Sequence, residues 1–257
     1  MGKVRIIAIT NQKGGVGKTT TAINLSACLA AMGKKVLAID ADQQGNTTSG
    51  LGLEKDEMEM TIYNVMLGEC TLSDVKLPTC VDGLEVVPAN ISLTGAEIEL
   101  IGKEDREFIL KKEVEKIKQN YDFIIIDCPP SLNVITINAL TASDTVLVPI
   151  QCEYFALEGL EQLLHTINLV KKGLNRNLEL EGIVFTMFDA RTNLSLQVVE
   201  EVKKSLGENV YRTIIPRNVR LGESPSHGLP IHLYDPKSKG AESYELLAEE
   251  VIEKEWG

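Results

Sequence analysis

Residues 4–25 read VRIIAITNQKGGVGKTTTAINL, and this stretch decides the fold. Positions 4–10 are an apolar, β-branched run of the kind that forms a strand buried on both faces. The turn that follows, Lys13-Gly14-Gly15-Val16-Gly17-Lys18-Thr19-Thr20, is rich in glycine, and a helical pattern begins at once after it. Strand, glycine turn and helix N-terminus together make an anion site. Glycines let backbone N–H groups close round phosphate oxygens, and the helix dipole favours negative charge. In such a loop Lys18 reaches the β- and γ-phosphates of a nucleotide, and the Thr19 hydroxyl binds Mg2+. The ordinary pattern GxxxxGK[ST] requires glycine at position 12. This chain has Gln12 there and carries an extra lysine, Lys13, early in the loop.

Outward from the loop, strand and helix signals alternate. Strands are expected at 4–10, 35–39, 84–88, 123–127, 145–150, 180–186 and 210–215. Helices are expected at 19–32, 105–120, 158–172, 194–206 and 241–254. That order predicts an α/β, three-layer fold: a mainly parallel twisted sheet with helices on both faces, of the P-loop NTPase type. Residues 51–80 are the least regular and read as short helices and loops over one edge. With no repeat and no flexible linker, residues 1–257 read as a single α/β domain built round this phosphate loop.

Two strand ends add acidic chemistry. One runs into Asp40-Ala41-Asp42, and a later one into Asp127-Cys128-Pro129-Pro130. The C-terminal ends of parallel strands share one edge, where ligands bind. Asp40, Asp42 and Asp127 should therefore gather beside Lys18 and Thr19. Carboxylates next to a triphosphate make sense with a cation between them or a water to orient.

Composition sets the outer bounds. The chain has 257 residues, 44% hydrophobic and 25% charged, which excludes collagen-like, low-complexity and disordered classes. A net charge of −11 argues against a protein that coats DNA or anionic lipid over its whole surface. No stretch approaches the roughly 20 apolar residues of a membrane span. No small-residue cleavage site follows the first apolar run, so no secretory leader is expected. Five cysteines, odd in number and without a CxxC pair, fit a reduced compartment. The three histidines have no ligand spacing.

The segments KGGVGKTT, DADQQGN, IIIDCPPS, LVPIQCEYFALEGL, DARTN, PRNVRLGESPSHG and YDPKSKGAE resemble the ParA/Soj family of chromosome- and plasmid-partitioning ATPases. These belong to the deviant Walker A (MinD/ParA) class, and the resemblance runs from residue 4 to residue 250. It is closest to the short Soj type, which has no separate N-terminal DNA-binding domain. The resemblance implies ATP and Mg2+ as cofactors and assigns roles. Lys13 is the signature lysine that reaches across a nucleotide-sandwich homodimer to the partner's ATP. Lys18 and Thr19 are the phosphate lysine and Mg2+ ligand; Asp42 orients the attacking water. Asp40 stands near the Mg2+ shell and Asp127 is the Walker B position. Gly14, Gly15, Val16, Gly17 and Thr20 belong to the phosphate cradle, and Pro216 and Asn218 to the adenine pocket. Where the family commonly has proline after the second aspartate this chain has Gln43, which implies a looser switch segment.

The family's partners are non-specific double-stranded DNA and a ParB-type centromere-binding protein that stimulates slow hydrolysis. Its place is the cytoplasm, on the nucleoid and not on a membrane. DNA-contacting arginines fall at Arg191 and Arg220, with Arg217 and Arg212 as weaker candidates. Residues 184–240 hold eight Lys+Arg against six Asp+Glu, a modestly basic segment in an acidic chain. The main alternative is a MinD-type membrane-associated positioning ATPase, but the tail 242–257 is amphipathic and strongly acidic, and anionic lipid should repel it. Trp256 is expected to pack on the fold. A nitrogenase-reductase-like electron carrier would need thiolates at a dimer axis. Cys128 and Cys152 instead read as small buried residues.

Overall fold

The computed structural model describes residues 4–153 and 156–254; Trp256 lies outside them. Eight strands form one sheet: β1 (Arg5–Ile9), β2 (Val36–Asp40), β3 (Leu77–Pro78), β4 (Leu84–Val87), β5 (Phe123–Asp127), β6 (Thr145–Gln151), β7 (Glu179–Phe188) and β8 (Val210–Pro216). The spatial order is β3-β4-β2-β5-β1-β6-β7-β8. Every pairing is parallel except β3 with β4. The seven strands read from the sequence are all present, and β3 is an addition too short to carry a pattern.

The helices run in chain order. They are α1 (Lys18–Ala31), α2 (Asn46–Gly50), α3 (Ile62–Leu67), α4 (Leu72–Val75), α5 (Leu93–Glu99) and α6 (Ile109–Ile117). Then come α7 (Val134–Ala142), α8 (Ala156–Gly173), α9 (Asn193–Leu206), α10 (Val219–Glu223), α11 (Ile231–Tyr234) and α12 (Lys239–Glu253). Strand alternation divides the core into two layers. Ile7 and Ile9 of β1 pack with α1 and α12, while Ile6 and Ala8 pack with α6, α7 and α8 on the other face.

The register positions the site. β5 lies between β1 and β2, with Ile9 opposite Asp127 and Asp40 opposite Asp127. The phosphate loop leaves β1 directly above this pair of carboxylates. At the far end of the sheet Arg5 pairs with the fully buried Glu181, which also accepts from Tyr211 Oη at 2.6 Å and Thr145 Oγ1 at 2.7 Å. That network ties β1, β6, β7 and β8 together behind the site.

Candidate nucleotide site

The loop 10–17 bends on two left-handed glycines, Gly15 at φ 73° and Gly17 at φ 88°, the latter capping α1. A side chain at either position would be strained. The Val16 carbonyl accepts the Thr186 hydroxyl at 2.7 Å, fastening the loop to β7. Lys18 is buried, and its Nζ donates to the Lys13 carbonyl at 3.1 Å across the curl of the loop. Burial lowers the Lys18 pKa, and the nearby acidic groups of Asp127, Cys128 and Asp42 offset only part of that shift.

Beneath the loop the carboxylates are gathered as the strand ends require. Asp40 is fully buried and accepts from the Thr48 hydroxyl at 2.7 Å and the Thr48 amide at 2.8 Å. Burial nonetheless pushes its pKa up to about 6. Asp127 accepts the Thr47 hydroxyl at 2.7 Å through Oδ2, while its Oδ1 is buried with no hydrogen-bond partner. Burial, then the neighbouring Asp40 charge, pushes Asp127 up to about 7, against the pull of the Thr47 and Thr19 hydroxyls. Two acids raised this far mark a place that lacks positive charge. Among the described residues no three His, Cys, Asp or Glu side chains converge as a complete metal cage. Mg2+ suits such a partial set, because it takes one or two protein ligands and completes its shell with phosphates and water. The Thr19 hydroxyl and the orphaned Asp127 Oδ1 fit that requirement.

The segment after β2 is pinned despite Gln43. Gln44 N–H donates to Asp42 Oδ1 at 2.9 Å, and Gly45 N–H to the Asp42 carbonyl at 2.9 Å. Lys55 Nζ holds the Gln44 carbonyl at 2.6 Å. A Cβ at Gly45 would come within 2.5 Å of the Ala89 carbonyl, so only glycine lets this segment lie against the end of β4. In this structure hydrogen bonds from Gln44, Gly45 and Lys55 hold the segment where the family commonly has proline.

A cleft of about 570 Å3 opens over the loop, a size that suits a small-molecule ligand. The cleft brings together Gly14, Gly15, Gly17, Lys18, Thr19, Thr20, Asp42, Pro216 and Asn218 along its lining. Asn218 also caps α10, its side chain accepting the Arg220 amide at 2.8 Å. Val16 is buried and is not among the residues lining the cleft. Asp40 and Asp127 lie below the cleft floor. Lys13 is half exposed and ion-paired with Glu153 of its own chain. Arg217, expected on a DNA-facing surface, stands at the cleft wall. Arg191 and Arg220 do not line it, and each is held by acids: Arg191 by Asp189 at 2.6 Å, Arg220 by Glu223 at 2.9 Å and Asp235 at 3.4 Å. Arg212 likewise meets Glu250 at 3.5 Å.

The sequence reading missed Thr186, Met187, Ile215, Leu221, Gly222 and Tyr244, which complete the cleft from β7, β8, α10 and α12. Met187 is left-handed at φ 49°, a conformation that no residue type announces in advance. The Tyr244 hydroxyl lies 3.1 Å from Thr21 Oγ1, tying α12 to α1. Cys128 and Cys152 are buried and unpaired, and burial raises both thiols, Cys152 to about 11. A larger hollow of about 1060 Å3 lies at the opposite edge of the sheet, by Lys35, Asp144 and Arg176. It has neither a phosphate loop nor the acidic strand ends, so the chemistry points to the smaller cleft.

Residues 4–180 match a family model described as an AAA domain. The chain is 61% identical over 251 residues to the sporulation initiation inhibitor protein Soj of Bacillus subtilis, covering 98% of each. It is 55% identical over 251 residues to the chromosome partitioning protein ParA of Myxococcus xanthus, covering 98% of this chain and 89% of that one. Among solved structures, the cobyrinic acid a,c-diamide synthase of Mycobacterium smegmatis with bound ATP analogue and magnesium is 38% identical, with a TM-score of 0.85. The match covers 97% of this chain and 94% of that one.

Proposed function

The chain belongs to the ParA/Soj family of chromosome-partitioning ATPases, and from that membership we propose that residues 1–257 work as one ATP-driven DNA-partitioning domain. Mg-ATP binding drives a nucleotide-sandwich homodimer that holds DNA without sequence preference. Slow hydrolysis, stimulated by a ParB-type partner, returns it to monomer. The observation that carries this reading is the orphaned, proton-raised Asp127 under a glycine loop bearing Lys18 and Thr19.

Each residue then has a task. The backbone of Gly14, Gly15 and Gly17 wraps the phosphates, and Lys18 exchanges the Lys13 carbonyl for a phosphate oxygen. Thr19 and Asp127 hold Mg2+, which when bound neutralises charge developing on the β- and γ-phosphates. Asp40, beside Asp127, would accept hydrogen bonds from water bound to the ion. Asp42 positions the water that attacks the γ-phosphorus as the bond to ADP breaks. Pro216 and Asn218 frame the base. Lys13 leaves Glu153 and crosses to the partner's phosphates, so turnover waits on dimerisation, as it does on a finger supplied in trans.

Arg191 and Arg220 supply phosphate contacts to DNA, with two such surfaces joined in each dimer. The chain works in the cytoplasm, on the nucleoid. Among the described residues no helix is long and apolar enough to cross a membrane, and the acidic α12 suits water better than anionic lipid.

ATP turnover and size-exclusion chromatography with ATP test this reading on wild type, Asp42→Ala and Lys13→Ala. Asp42→Ala should lose turnover by about 100-fold or more and remain dimeric. Lys13→Ala should lose turnover and stay monomeric. Equal turnover in all three would overturn the mechanism.

A further inference from the structure

Helix α2 is one short turn, but it is firmly seated. It packs on α1, and it follows directly on the segment that Gly45 lets lie against the end of β4. Its two consecutive threonines, Thr47 and Thr48, are both fully buried. A buried hydroxyl is costly unless it finds a partner, and here each finds a carboxylate. Thr48 reaches Asp40 at the end of β2, and Thr47 reaches Asp127 opposite it at the end of β5. Successive helical residues point about 100° apart. One turn of helix can therefore serve two strand ends that stand about 4.8 Å apart.

The two threonines do different work. Thr48 is fixed from both sides. Its Oγ1 accepts the Ala89 N–H at 2.9 Å, which leaves its own proton for Asp40 Oδ2 at 2.7 Å, and its amide donates to the same oxygen at 2.8 Å. Asp40 Oδ1 takes the Asp42 amide at 3.2 Å. Asp40 is thereby tied into the backbone. Thr47 makes a single bond, from its hydroxyl to Asp127 Oδ2 at 2.7 Å. Of the four carboxylate oxygens three are engaged, and only Asp127 Oδ1 is buried without a partner.

We infer that Thr47 is a positioning residue for the metal ion: by holding Asp127 Oδ2 it turns Oδ1 toward the Mg2+ place beside Thr19. The role rests on the reading of Asp127 as the Mg2+ residue. Mg2+ demands near-ideal octahedral geometry, and a hydrogen bond behind a ligand sets the ligand's direction. Thr47 also joins two parts of the site. α2 begins where residues 42–45 end, so a shift of the Asp42 segment carries the Thr47 hydroxyl with it. Ion binding and the placing of the attacking water then change together.

The test uses Mn2+ as the probe ion on the full chain saturated with ADP, with free Mn2+ read by electron paramagnetic resonance. Thr47→Val keeps the side-chain size and removes the hydroxyl. It should weaken Mn2+ binding about tenfold or more. ADP affinity without metal should not change, because Thr47 is not among the residues lining the cleft. Thr47→Ser restores the hydroxyl and should recover most of the Mn2+ affinity. Thermal melts check that each variant folds, and Thr47→Ala carries the same expectation as Thr47→Val if the valine is not accommodated. Equal Mn2+ affinity in wild type and Thr47→Val overturns the proposal. So does a loss in Thr47→Ser as large as in Thr47→Val, which would make Thr47 a packing residue. Wild type that bound ADP but took up no Mn2+ would overturn the reading of Asp127 itself, and this proposal with it.

Discussion

The carboxylates under the phosphate loop and the arginines of residues 184–240 are opposite kinds of charge cluster. Asp40 and Asp127 are buried side by side and accept from hydroxyls and an amide, yet Asp127 Oδ1 has no partner and both proton affinities are pushed far up. Arg191 and Arg220 are exposed, and each is already matched to acids of its own chain. In the first region the low dielectric makes the missing positive charge costly, so a cation has a place reserved for it. In the second, water screens every pair, so exchanging an internal acid for a DNA phosphate costs little. One region commits to its ligand; the other stays exchangeable. On the function proposed above, that division suits a protein that holds nucleotide firmly and releases DNA readily.

The largest test of this contrast is charge reversal at the exchangeable surface. Arg191→Glu plus Arg220→Glu should lower DNA retention by about 100-fold or more at physiological salt, because phosphate neutralisation supplies most non-specific affinity. ATP-dependent dimers should still form, since neither residue lines the cleft. Filter binding beside chromatography reads both outcomes. DNA retention that survived the double reversal would move the DNA surface elsewhere.

Much of this was legible in the sequence where chemistry imposes a pattern. The strand–glycine–helix run fixed β1 and α1, and two Asp-ending apolar runs placed Asp40 and Asp127 on one edge before the register showed them opposite each other. Elements without periodicity were not legible. α7 is apolar nearly all round, since Ile135, Ala139 and Leu140 are buried together with Thr136 and Asn138, so no amphipathic stripe announces it. The cleft walls from β7 to α12 come from residues distant in sequence, and Met187 owes its conformation to its surroundings. The arginines were legible as basic residues with acids close by in the sequence; which acid each would hold, Asp189 or Glu223, was not, because ion-pair geometry is decided by loop shape.

A smaller effect tests the committed region. In chelator, without nucleotide, Asp127 ionises near pH 7 in the fold, against an ordinary value of 3.8. The folded state therefore binds more protons than the unfolded one across that window. Stability should fall as pH rises from about 4 to about 7, with Asp40 adding to the lower part, and then level off. Asp127→Asn should flatten the profile and raise the melting temperature at pH 8 by several degrees, on the order of a few °C per kcal/mol for a chain of this size. A wild-type melting temperature that rose between pH 5 and pH 8 would mean that the site already has its positive charge.

The smallest expected effect separates the two regions most sharply. Asp189 holds Arg191 through both carboxylate oxygens, at 2.8 and 2.6 Å, on a surface where the arginine side chain is 87% exposed. Asp189→Asn keeps the shape and one acceptor while removing the charge that competes with DNA. If the pair is exchangeable, DNA affinity should rise only about two- to fivefold, in line with an exposed ion pair. The gain should shrink as salt is raised, since screening weakens the competitor and the phosphate alike. Turnover without DNA should not move. A gain far larger than this would mean that Asp189 locks Arg191 as firmly as burial holds the acids beneath the phosphate loop, and the contrast between the regions would collapse.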